Sequence, residues 1–580
     1  MKVKTMPLSK LRYSPDVNRK LQSYKEREDE GNDIDYRSNW YSEPHGSGKS
    51  PAKNSRISGV SGRVPMPSKE IFAMLEKTGY WKELSKEHND VMLFEKEFEN
   101  KTDSPSSIVL PFSDSIEGVQ KYYNDTIMHT DKVKFAKAVK LVTDLYSKVM
   151  PKNSLSPITL LKSLERMPST TNWCAPYFIP GKEMSYSDEG QITEVKDNSG
   201  KYLIVAKSVR DAILSGEDPK VEDMAFWLLW SGQEGPDGST KQSSTFGEGH
   251  GVTMMGGQLY PFIDAEAKLS FSAAMVDQKI VDKNISEALE AGKCLYGFDA
   301  SAFDTNLSAE LLKAGSEMML NSFSLSKDEL KMLSWYFNKH IPTSPLITPG
   351  GLFTGRTSSM PSGTTFTNSL DSICNLMAWA YVCVELKIPF EVIQVQGDDA
   401  VFVVPTSDTK MLDQIAEQYA KVGFVVNSEK QWLSPESVSY LKRLHVKGSK
   451  SSYKSINWSV VGMANMERPK AWHEAMYSAR LMMQASQMSP EFYGYDTMMQ
   501  FVAKGDMPYH LGLNSKAGTL GVLQAAGGAK KVANRLGFNS FSGNQYGVTS
   551  SNKSSDVSIG VPDLNVARWV SGNSGSATSA

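Results

Sequence analysis

The sequence predicts an α+β fold, with short strands around an acidic turn and amphipathic helices beside them. Two apolar runs rich in β-branched residues, 390–396 and 400–404, flank Gly397 and predict a hairpin. Apolar residues recur at helical spacing over 370–384 and again over 412–422. With 580 residues the chain is too long for a single hydrophobic core. We therefore expect several subdomains.

The predicted hairpin carries two adjacent carboxylates at its tip. Asp398 and Asp399 follow Gly397, and a glycine in the first central position fits a two-residue turn of type II′. Another apolar run, 293–298, predicts a strand that ends at Asp299. Converging carboxylates repel each other unless cations lie between them, and Mg²⁺ prefers oxygen ligands. Asp-Asp turns are common in proteins without any catalytic role. The order of the neighbouring motifs therefore has to show whether this turn is part of an active site.

A loop that opens a helix lies between the two acidic segments. Ser362 and Gly363 follow a stretch rich in glycine and threonine, while Thr367 and Asp371 are one helical turn apart. Gly363 allows the backbone to approach a sugar or a phosphate closely. The alternative interpretation of the same residues is a capped helix that packs one face on a core.

An acidic strand, a Ser-Gly-x-x-x-Thr loop and a Gly-Asp-Asp hairpin, in this order, resemble motifs A, B and C of viral RNA-dependent RNA polymerases. Asp371 stands where many positive-strand RNA virus enzymes carry Asn, and in this respect the chain is similar to the double-stranded RNA virus group of picobirnaviruses and partitiviruses. The resemblance is specific over 293–446. It implies a right-hand polymerase with an antiparallel palm sheet and with mostly helical fingers and thumb.

The resemblance assigns catalysis and metal binding to three carboxylates. Asp299, Asp398 and Asp399 are expected to hold two Mg²⁺ ions, with Mn²⁺ as an alternative, for nucleotidyl transfer to an RNA 3′-hydroxyl. The expected activity is template-directed RNA synthesis from nucleoside triphosphates, as in genome replication and transcription.

Recognition of the ribose is expected from a second group of residues. In the family the second motif A aspartate contacts the ribose, and Asp304 matches it here. Asp371 complicates this assignment, because two carboxylates that face one sugar need a shared proton or a cation. Asn368 or Asn375 then becomes the candidate amide donor. The residues expected to contact the nucleotide are Asp304, Ser362, Gly363, Thr367, Asn368 and Asp371.

Basic residues complete the implied site. The segment that ends at Lys430 resembles motif D, in which a lysine can protonate the departing pyrophosphate. The hairpin around Lys442 and Arg443 resembles motif E, so both side chains are expected to face phosphates of the growing strand. The basic motif F lacks its expected arginine, so Lys241 is the candidate to neutralise the triphosphate, with Lys201, Lys207 and Arg210 as alternatives from the preceding segment. Ordinary surface charge is the alternative for each of these residues.

The motifs divide the chain into five expected segments. These are an N-terminal arm at 1–65, fingers at 66–291, a palm at 292–446 with a fingers insertion at about 306–350, a thumb at 447–537 and a flexible tail at 538–580. The net charge of −2 does not by itself indicate nucleic-acid binding. Four scattered cysteines favour neither zinc nor disulfides, and no apolar run is long enough to cross a membrane.

The resemblance also implies partners and a location. We expect a monomer that binds viral RNA template and product, nucleoside triphosphates and the viral capsid protein, inside the virion and in the host cytoplasm. Other classes of function remain open: a reverse transcriptase or DNA polymerase with a similar palm, a metal-dependent glycosyltransferase, and a catalytically silent RNA-binding protein of the capsid. Clustered carboxylates argue against the silent protein, because RNA binding gains nothing from them.

Overall fold

A computed structural model describes most of the chain between residues 112 and 455, together with a few short segments before it. The described residues are 4–6, 90–91, 93–95, 104–106, 112–168, 173–186, 192–234, 240–426 and 431–455. Most of the predicted N-terminal arm, the predicted thumb beyond residue 455 and the whole predicted tail lie outside these ranges.

Strands and helices alternate along the described chain. The strands are β1 Lys4–Met6, β2 Ser104–Ser106, β3 Lys182–Tyr186, β4 Ile192–Asp197, β5 Phe226–Glu234, β6 Thr240–Gly247, β7 Cys294–Phe298, β8 Ala300–Ser301, β9 Leu346–Thr348, β10 Gly351–Thr354, β11 Val392–Gln396, β12 Asp399–Val404, β13 Val425–Val426, β14 Trp432–Ser434, β15 Ser437–Tyr440, β16 Arg443–Val446 and β17 Tyr453–Lys454. The α-helices are α1 Phe112–Gln120, α2 Lys132–Tyr146, α3 Leu160–Arg166, α4 Ser199–Ser215, α5 Val221–Met224, α6 His250–Gly256, α7 Tyr260–Glu266, α8 Gln278–Glu290, α9 Phe303–Asn306, α10 Ala309–Asn321, α11 Lys327–Trp335, α12 Ile341–Thr343, α13 Thr367–Leu386 and α14 Lys410–Val422. Two 3₁₀ turns, Lys121–Tyr123 and Gly257–Leu259, and a π-helical turn, Tyr336–His340, join neighbouring helices.

The predicted hairpin lies in a four-stranded antiparallel sheet with the order β11-β12-β7-β14. Gln396 pairs with Asp399 across the turn, and Ala400 lies opposite Phe298 of β7. This register places the residue after β7, Asp299, beside the tip of the hairpin. The predicted hairpin and the predicted strand before Asp299 are therefore confirmed, with the first hairpin strand starting at Val392 rather than at residue 390.

The helix after the Ser-Gly loop is buried more completely than its sequence pattern predicts. Every residue of α13 from Ser369 to Cys383 is buried, whereas the pattern predicts one buried face. The reason is that α13 packs against α2, α10, α14 and β11 on different sides. Trp379 of α13 stacks on Phe402 of β12 with ring centroids 4.5 Å apart, which ties the helix to the palm sheet.

The next helix follows its prediction closely. Asp408 accepts a hydrogen bond from the backbone N–H of Lys410 at 3.0 Å, and α14 ends at Gly423 with a left-handed φ of +106°. Its apolar face, which includes Ile415 and Tyr419, is buried. The helix thus forms scaffold beside α13.

The region expected to be mostly helical fingers also contains a six-stranded sheet. Its order is β1-β10-β9-β5-β2, and β6 pairs with β5 as a long antiparallel ribbon. The strand β9 comes from the expected fingers insertion, β10 follows it directly, and β1 comes from the N-terminal arm. The pairs β5–β6 and β9–β10 are neighbours in sequence, but the pairings that join them to each other and to β1 and β2 link distant segments, which leaves no local pattern to detect. No helix in the described ranges is long and apolar enough to cross a membrane.

A buried glutamate joins three helices of the core. Glu266, the last residue of α7, accepts hydrogen bonds from Ser369 Oγ on α13 at 2.6 Å and from Tyr146 Oη on α2 at 3.3 Å. Burial raises the pKa of Glu266 to about 7, although these hydrogen bonds act in the opposite direction. Near neutral pH the folded chain therefore retains a proton that the unfolded chain has lost.

We predict that Glu266→Gln flattens the pH dependence of stability between about pH 5 and pH 8. Because the folded pKa lies above the ordinary value of 4.5, the stabilisation is complete below that value and is lost as the pH rises through about 7. Full loss corresponds to ~3 kcal/mol of unfolding free energy. Urea unfolding of both proteins across this range measures the difference. The control is Glu165→Gln, at an exposed position on α3, which should keep the wild-type profile; the same profile in Glu266→Gln would contradict the prediction.

Candidate active site

The turn between β11 and β12 is held in place by α13. Gly397 has a φ of +60°, and it alone of the two central residues lies in the left-handed region, as a type II′ turn requires. Its N–H donates to Ser372 Oγ at 2.8 Å. Asn375 Nδ2 donates to the carbonyls of Gly397 at 3.1 Å and Asp398 at 3.0 Å. Three hydrogen bonds from one buried helix thus fix the position of the acidic turn.

The carboxylate on the neighbouring strand is positioned through its own backbone. Asp299 is exposed, and Gln431 binds its main chain on both sides. Gln431 Nε2 donates to the Asp299 carbonyl at 2.7 Å, and the Asp299 N–H donates to Gln431 Oε1 at 3.1 Å. The side chain of Asp299 is therefore left for a ligand at the cleft.

The carboxylates of this cleft interact strongly with one another. Desolvation, followed by the negative charge of Asp304, raises the pKa of Asp398. Desolvation and the charge of Asp398 raise the pKa of Asp399, and Asp299 contributes to both increases. The ammonium group of Lys442 acts in the opposite direction on Asp399. The site therefore concentrates negative charge that a cation would neutralise.

These carboxylates fit a divalent cation that arrives with its substrate. The described ranges contain no group of three His, Cys, Asp or Glu side chains already at metal-ligand spacing. Mg²⁺ characteristically binds through one or two carboxylates together with phosphate oxygens and water, so a complete protein cage is not required. Asp299 and Asp398, exposed and mutually repelling, provide the donor chemistry that such an ion needs.

Asp304 lies on a separate element from Asp299, although the two residues are only five positions apart in the sequence. Ala302 adopts a left-handed φ of 54° between β8 and α9, and this bend places Asp304 in the first turn of the short helix. The side chain of Asp304 is half-buried and accepts a hydrogen bond from Ser362 Oγ. Its carbonyl accepts from the N–H of Met360 at 2.8 Å. The predicted pairing of Asp304 with the Ser-Gly loop is thus present.

The carboxyl groups of Asp371 and Asp304 are neighbours, and a proton shared between them would relieve their repulsion. Asp371 is buried on α13, and its carboxyl is hydrogen-bonded to Asp304. Burial, with the charges of Asp304 and Asp398, raises its pKa well above the ordinary value. Burial thus favours the protonated form of Asp371 as the donor, and the same hydrogen bond acts to lower the pKa of Asp304. Its Oδ1 has no hydrogen-bond partner among the residues that the structure describes.

The loop before α13 contacts the fingers sheet too closely for any side chain at Gly363. Its φ is +117°, and a Cβ there would lie 2.1 Å from the carbonyl oxygen of Phe246 at the end of β6. The Phe246 N–H donates to the Ser362 carbonyl at 2.8 Å. The Gly363 N–H donates to Thr367 Oγ1 at 3.2 Å, and that hydroxyl donates to the Thr364 carbonyl at 3.1 Å. Thr367 therefore braces the loop.

The two candidate amide donors have different surroundings. The Nδ2 of Asn375 is committed to the acidic turn, which removes it as a donor to the sugar. Asn368 is half-buried, and its Nδ2 has no partner within the described part of the molecule. Of the two amides, that of Asn368 keeps a donor without a partner among the described residues, although its Nδ2 is buried.

The predicted basic residues do not behave alike. Lys442 lies exposed in the turn between β15 and β16, within electrostatic range of Asp399. Arg443 was expected to face phosphates, and the structure corrects this: its side chain is buried and donates to Ser452 Oγ at 3.2 Å. The reason is that Arg443 begins β16, all of whose residues are buried between β15 and β17, whereas Lys442 lies in the turn before it. Lys241 belongs to β6, but its side chain, like all of Lys430, lies outside the described structure.

Two positioning residues carry no sequence signal that would have revealed them. Gln431 acts through the backbone of Asp299, and Ser372 acts through the backbone of Gly397. Both act on residues that are distant in sequence, so spacing along the chain does not reveal them.

The antiparallel palm sheet, the acidic hairpin and the Ser-Gly loop packed on a fingers sheet define a template-directed polymerase of the right-hand class. Residues 256–493 match the family model of viral RNA-dependent RNA polymerases. This part of the chain therefore carries a viral RNA-dependent RNA polymerase domain, as its motifs predict. An enzyme of this class binds RNA and nucleoside triphosphates and uses divalent metal ions.

Individual relatives agree with this class. The potential RNA-dependent RNA polymerase of human picobirnavirus is 23% identical over 406 residues, 67% of this chain and 72% of that protein. The genome polyprotein of Ljunganvirus 1 is 29% identical over 200 residues, 30% of this chain. That match spans only 8% of the polyprotein's length.

Solved structures share the fold. The crystal structure of the RNA-dependent RNA polymerase of a human picobirnavirus has a TM-score of 0.66 at 18% identity, over 92% of this chain and 96% of that one. Its insertion-loop deletion mutant has a TM-score of 0.62, also at 18% identity, over 87% of this chain and 96% of that one. The predicted right-hand fold and the predicted resemblance to picobirnavirus polymerases are confirmed.

We predict that Gly363→Ala lowers kcat/KM for nucleotide addition by about tenfold or more. A methyl group at this position meets the Phe246 carbonyl, so the loop must move and carry Ser362 away from Asp304. Strain of this kind costs about 1–3 kcal/mol. Primed extension of an RNA template by one nucleotide measures the loss.

The matched control is Gly216→Ala at the end of α4. Gly216 has a similar left-handed φ of +86°, but nothing lies within 4 Å of a Cβ at that position. It should cost stability without lowering kcat/KM. Equal kinetic losses in the two variants would show that backbone strain alone, and not the contact with Phe246, accounts for the effect.

Proposed function

We propose that this chain copies RNA templates by two-metal nucleotidyl transfer, with Asp299 and Asp398 as the principal metal ligands. The observation that carries the proposal is the convergence of these carboxylates with Asp399 at the end of the palm sheet, where the charge of Asp299 raises the pKa of Asp398 and both charges raise the pKa of Asp399. A structural role gives no reason to collect unneutralised charge in this way.

Two Mg²⁺ ions, or Mn²⁺ in their place, would supply activation of the RNA 3′-hydroxyl and neutralisation of the triphosphate. Asp299 and Asp398 would hold them from adjacent strands, and Asp399 would support them from the start of β12. Asn375 and Ser372 keep the turn rigid, so these oxygens need no reorganisation when substrate binds.

Selection of ribonucleotides is proposed for the group around Asp304. Burial raises the pKa of Asp304, and the hydrogen bonds from Ser362 and Asp371 oppose that increase; they would also orient the carboxylate to accept from a ribose 2′-hydroxyl. Asn368 would donate to the sugar with its free Nδ2. Gly363 would let the backbone lie against the substrate, and Thr367 would act through the loop that it braces.

The basic residues have proposed roles in phosphate binding. Lys442 is exposed near Asp399 and would contact the 3′ end of the growing strand. Lys241 from the fingers would neutralise the triphosphate, and Lys430 would protonate pyrophosphate. The roles of Lys241 and Lys430 are proposed from the sequence motifs.

The proposed setting is a double-stranded RNA virus. We propose that the chain acts as a monomer, with capsid protein as a partner, inside the virion and in the host cytoplasm. The relative from human picobirnavirus supports this setting, since it covers most of this chain. A reverse transcriptase is less consistent with the site, because hydrogen bonds to Asp304 suit recognition of a 2′-hydroxyl.

We predict that the purified protein makes complementary RNA without a primer when it is given Mg²⁺, the four ribonucleoside triphosphates and a single-stranded RNA template. We expect Asp398→Asn to abolish this synthesis. The substitution removes a negative ligand, so metal binding weakens, while RNA affinity stays the same or rises slightly because less charge repels the phosphates. Gel analysis of labelled product and fluorescence anisotropy with RNA measure the two quantities.

The control for Asp398→Asn is Asp413→Asn, which makes the same charge change at an exposed position of α14 and should retain wild-type synthesis. More than about a tenth of wild-type elongation in Asp398→Asn at saturating Mg²⁺ would remove Asp398 from the metal site. Extension of DNA in preference to RNA by the wild type would refute the proposed substrate class.

We also predict that Asp304→Ala reduces the preference for ribonucleotides over deoxyribonucleotides by about one to two powers of ten. The reason is the loss of a charge-assisted hydrogen bond of about 1.5–3 kcal/mol to the 2′-hydroxyl. The ratio of kcat/KM for each sugar on a primed template measures it. Asp328→Ala, at an exposed position of α11, is the control. A lower rate with unchanged selectivity would give Asp304 a structural role only.

A further inference from the structure

The turn that carries Lys442 has a strained backbone. Leu441 and Lys442 join β15 to β16, and Tyr440 pairs with Arg443 across them. Both turn residues have a left-handed φ, +49° at Leu441 and +59° at Lys442. A two-residue hairpin turn with this geometry normally contains Asn and Gly, because a larger side chain disfavours the conformation. The rest of the hairpin therefore has to hold this turn in place.

A chain of buried hydrogen bonds fixes the first residue after the turn. Arg443 Nη1 donates to Ser452 Oγ at 3.2 Å, and Ser452 Oγ donates to Asp282 Oδ1 on α8 at 2.7 Å. A serine hydroxyl can accept one hydrogen bond while it donates another, so the two contacts are compatible. The same oxygen of Asp282 accepts from Gln278 Nε2, one turn earlier on α8, at 2.9 Å. Arg443, Ser452 and Asp282 are all buried, so water does not compete for these contacts.

Asp282 places a negative charge beside the buried guanidinium. Burial lowers the pKa of Arg443, and the charge of Asp282 opposes that decrease. His445 Nδ1 also lies 3.6 Å from Asp282 Oδ1, but burial lowers the pKa of His445 to about 4, so this ring is neutral near pH 7. Removal of one partner of a buried ion pair leaves the other charge unbalanced. Loss of the Asp282 charge should therefore displace Arg443.

We propose that Asp282 is a positioning residue for the growing RNA strand: through Ser452 and Arg443 it anchors the turn that presents Lys442 at the acidic cleft. The inference rests on the proposed function, because Lys442 is the residue proposed to contact the 3′ end of that strand. Lys442 is exposed and directly precedes Arg443, within electrostatic range of Asp399. Asp282 is buried, so it acts on the RNA only through the hairpin.

The test is binding of a primed RNA template by the purified protein, measured by fluorescence anisotropy over a series of salt concentrations. Asp282→Asn should weaken binding about three- to tenfold, as expected for one lost contact. The slope of log Kd against log salt concentration should fall by about 0.7, because one phosphate fewer is neutralised. The sign is informative, since removal of a negative charge would by itself strengthen RNA binding. In primer extension the loss should fall on the KM for the primed template more than on kcat.

The matched control is Glu287→Gln. It removes the same charge from the same helix, but at an exposed position. Binding should stay the same or become slightly stronger, with the wild-type salt slope. Equal weakening in Glu287→Gln and Asp282→Asn overturns the inference, because the charge of α8 and not the contact with the hairpin would then be responsible.

A double-mutant cycle with Lys442→Ala shows whether the effect passes through Lys442. Lys442→Ala should weaken binding and lower the salt slope by itself, and Asp282→Asn should add no further loss in that background. Equal losses in both backgrounds overturn the inference, as does wild-type binding in Asp282→Asn.

Ser452→Ala provides a second variant that breaks the same chain of hydrogen bonds without changing a charge. It should also lower the salt slope, and it replaces Asp282→Asn if that variant does not fold. A wild-type slope in Ser452→Ala overturns the inference.

Failure of the proposed function gives a different pattern of results. A wild-type protein that extends no RNA refutes the proposed function and this inference together. A wild-type protein that extends RNA, with unchanged template binding in Lys442→Ala, overturns the inference and leaves the proposed polymerase function standing.

Discussion

Mutual repulsion among the carboxylates at the end of the palm sheet is the constraint around which the described structure is organised. Asp304 and Asp299 raise the pKa of Asp398, Asp398 and Asp299 raise the pKa of Asp399, and the folded chain has to hold these repelling groups together. It does so with rigid backbone: strand register brings two of them together, and hydrogen bonds to their main chain keep them there. The side-chain oxygens remain available for a cation.

The helix α13 contacts the acidic residues of the site at one end and packs on the core of the molecule along its length. One buried helix supplies Ser372 and Asn375 to the acidic turn and Asp371 to Asp304. The same helix is anchored by Trp379 on the palm sheet and by the bond from Ser369 to Glu266. Burial on all sides explains how its polar residues keep their directions, because a side chain packed on every side has few alternative rotamers.

The fingers reach the site through backbone contacts. The buried guanidinium of Arg356 donates to the carbonyls of Ser344, Ser358 and Ser359 at 3.3, 3.4 and 3.2 Å, which fixes the start of the loop that leads to Ser362. The end of β6 fixes its other side through Phe246. Movement of the fingers sheet would therefore move the Ser362 hydroxyl, which is hydrogen-bonded to the carboxylate proposed to contact the ribose.

The sequence by itself determined the features that depend on neighbours along the chain. The type II′ turn follows from Gly397, the end of α14 follows from Gly423, and the order of the three motifs identified the polymerase class. Tertiary structure decided what depends on distant residues: the six-stranded fingers sheet, the burial of Arg443, the Gln431 contacts to Asp299 and the proton on Asp371. The physical reason is that turns and helix ends arise from local backbone geometry, whereas burial, and with it protonation and hydrogen-bond choice, exists only once remote segments have packed together.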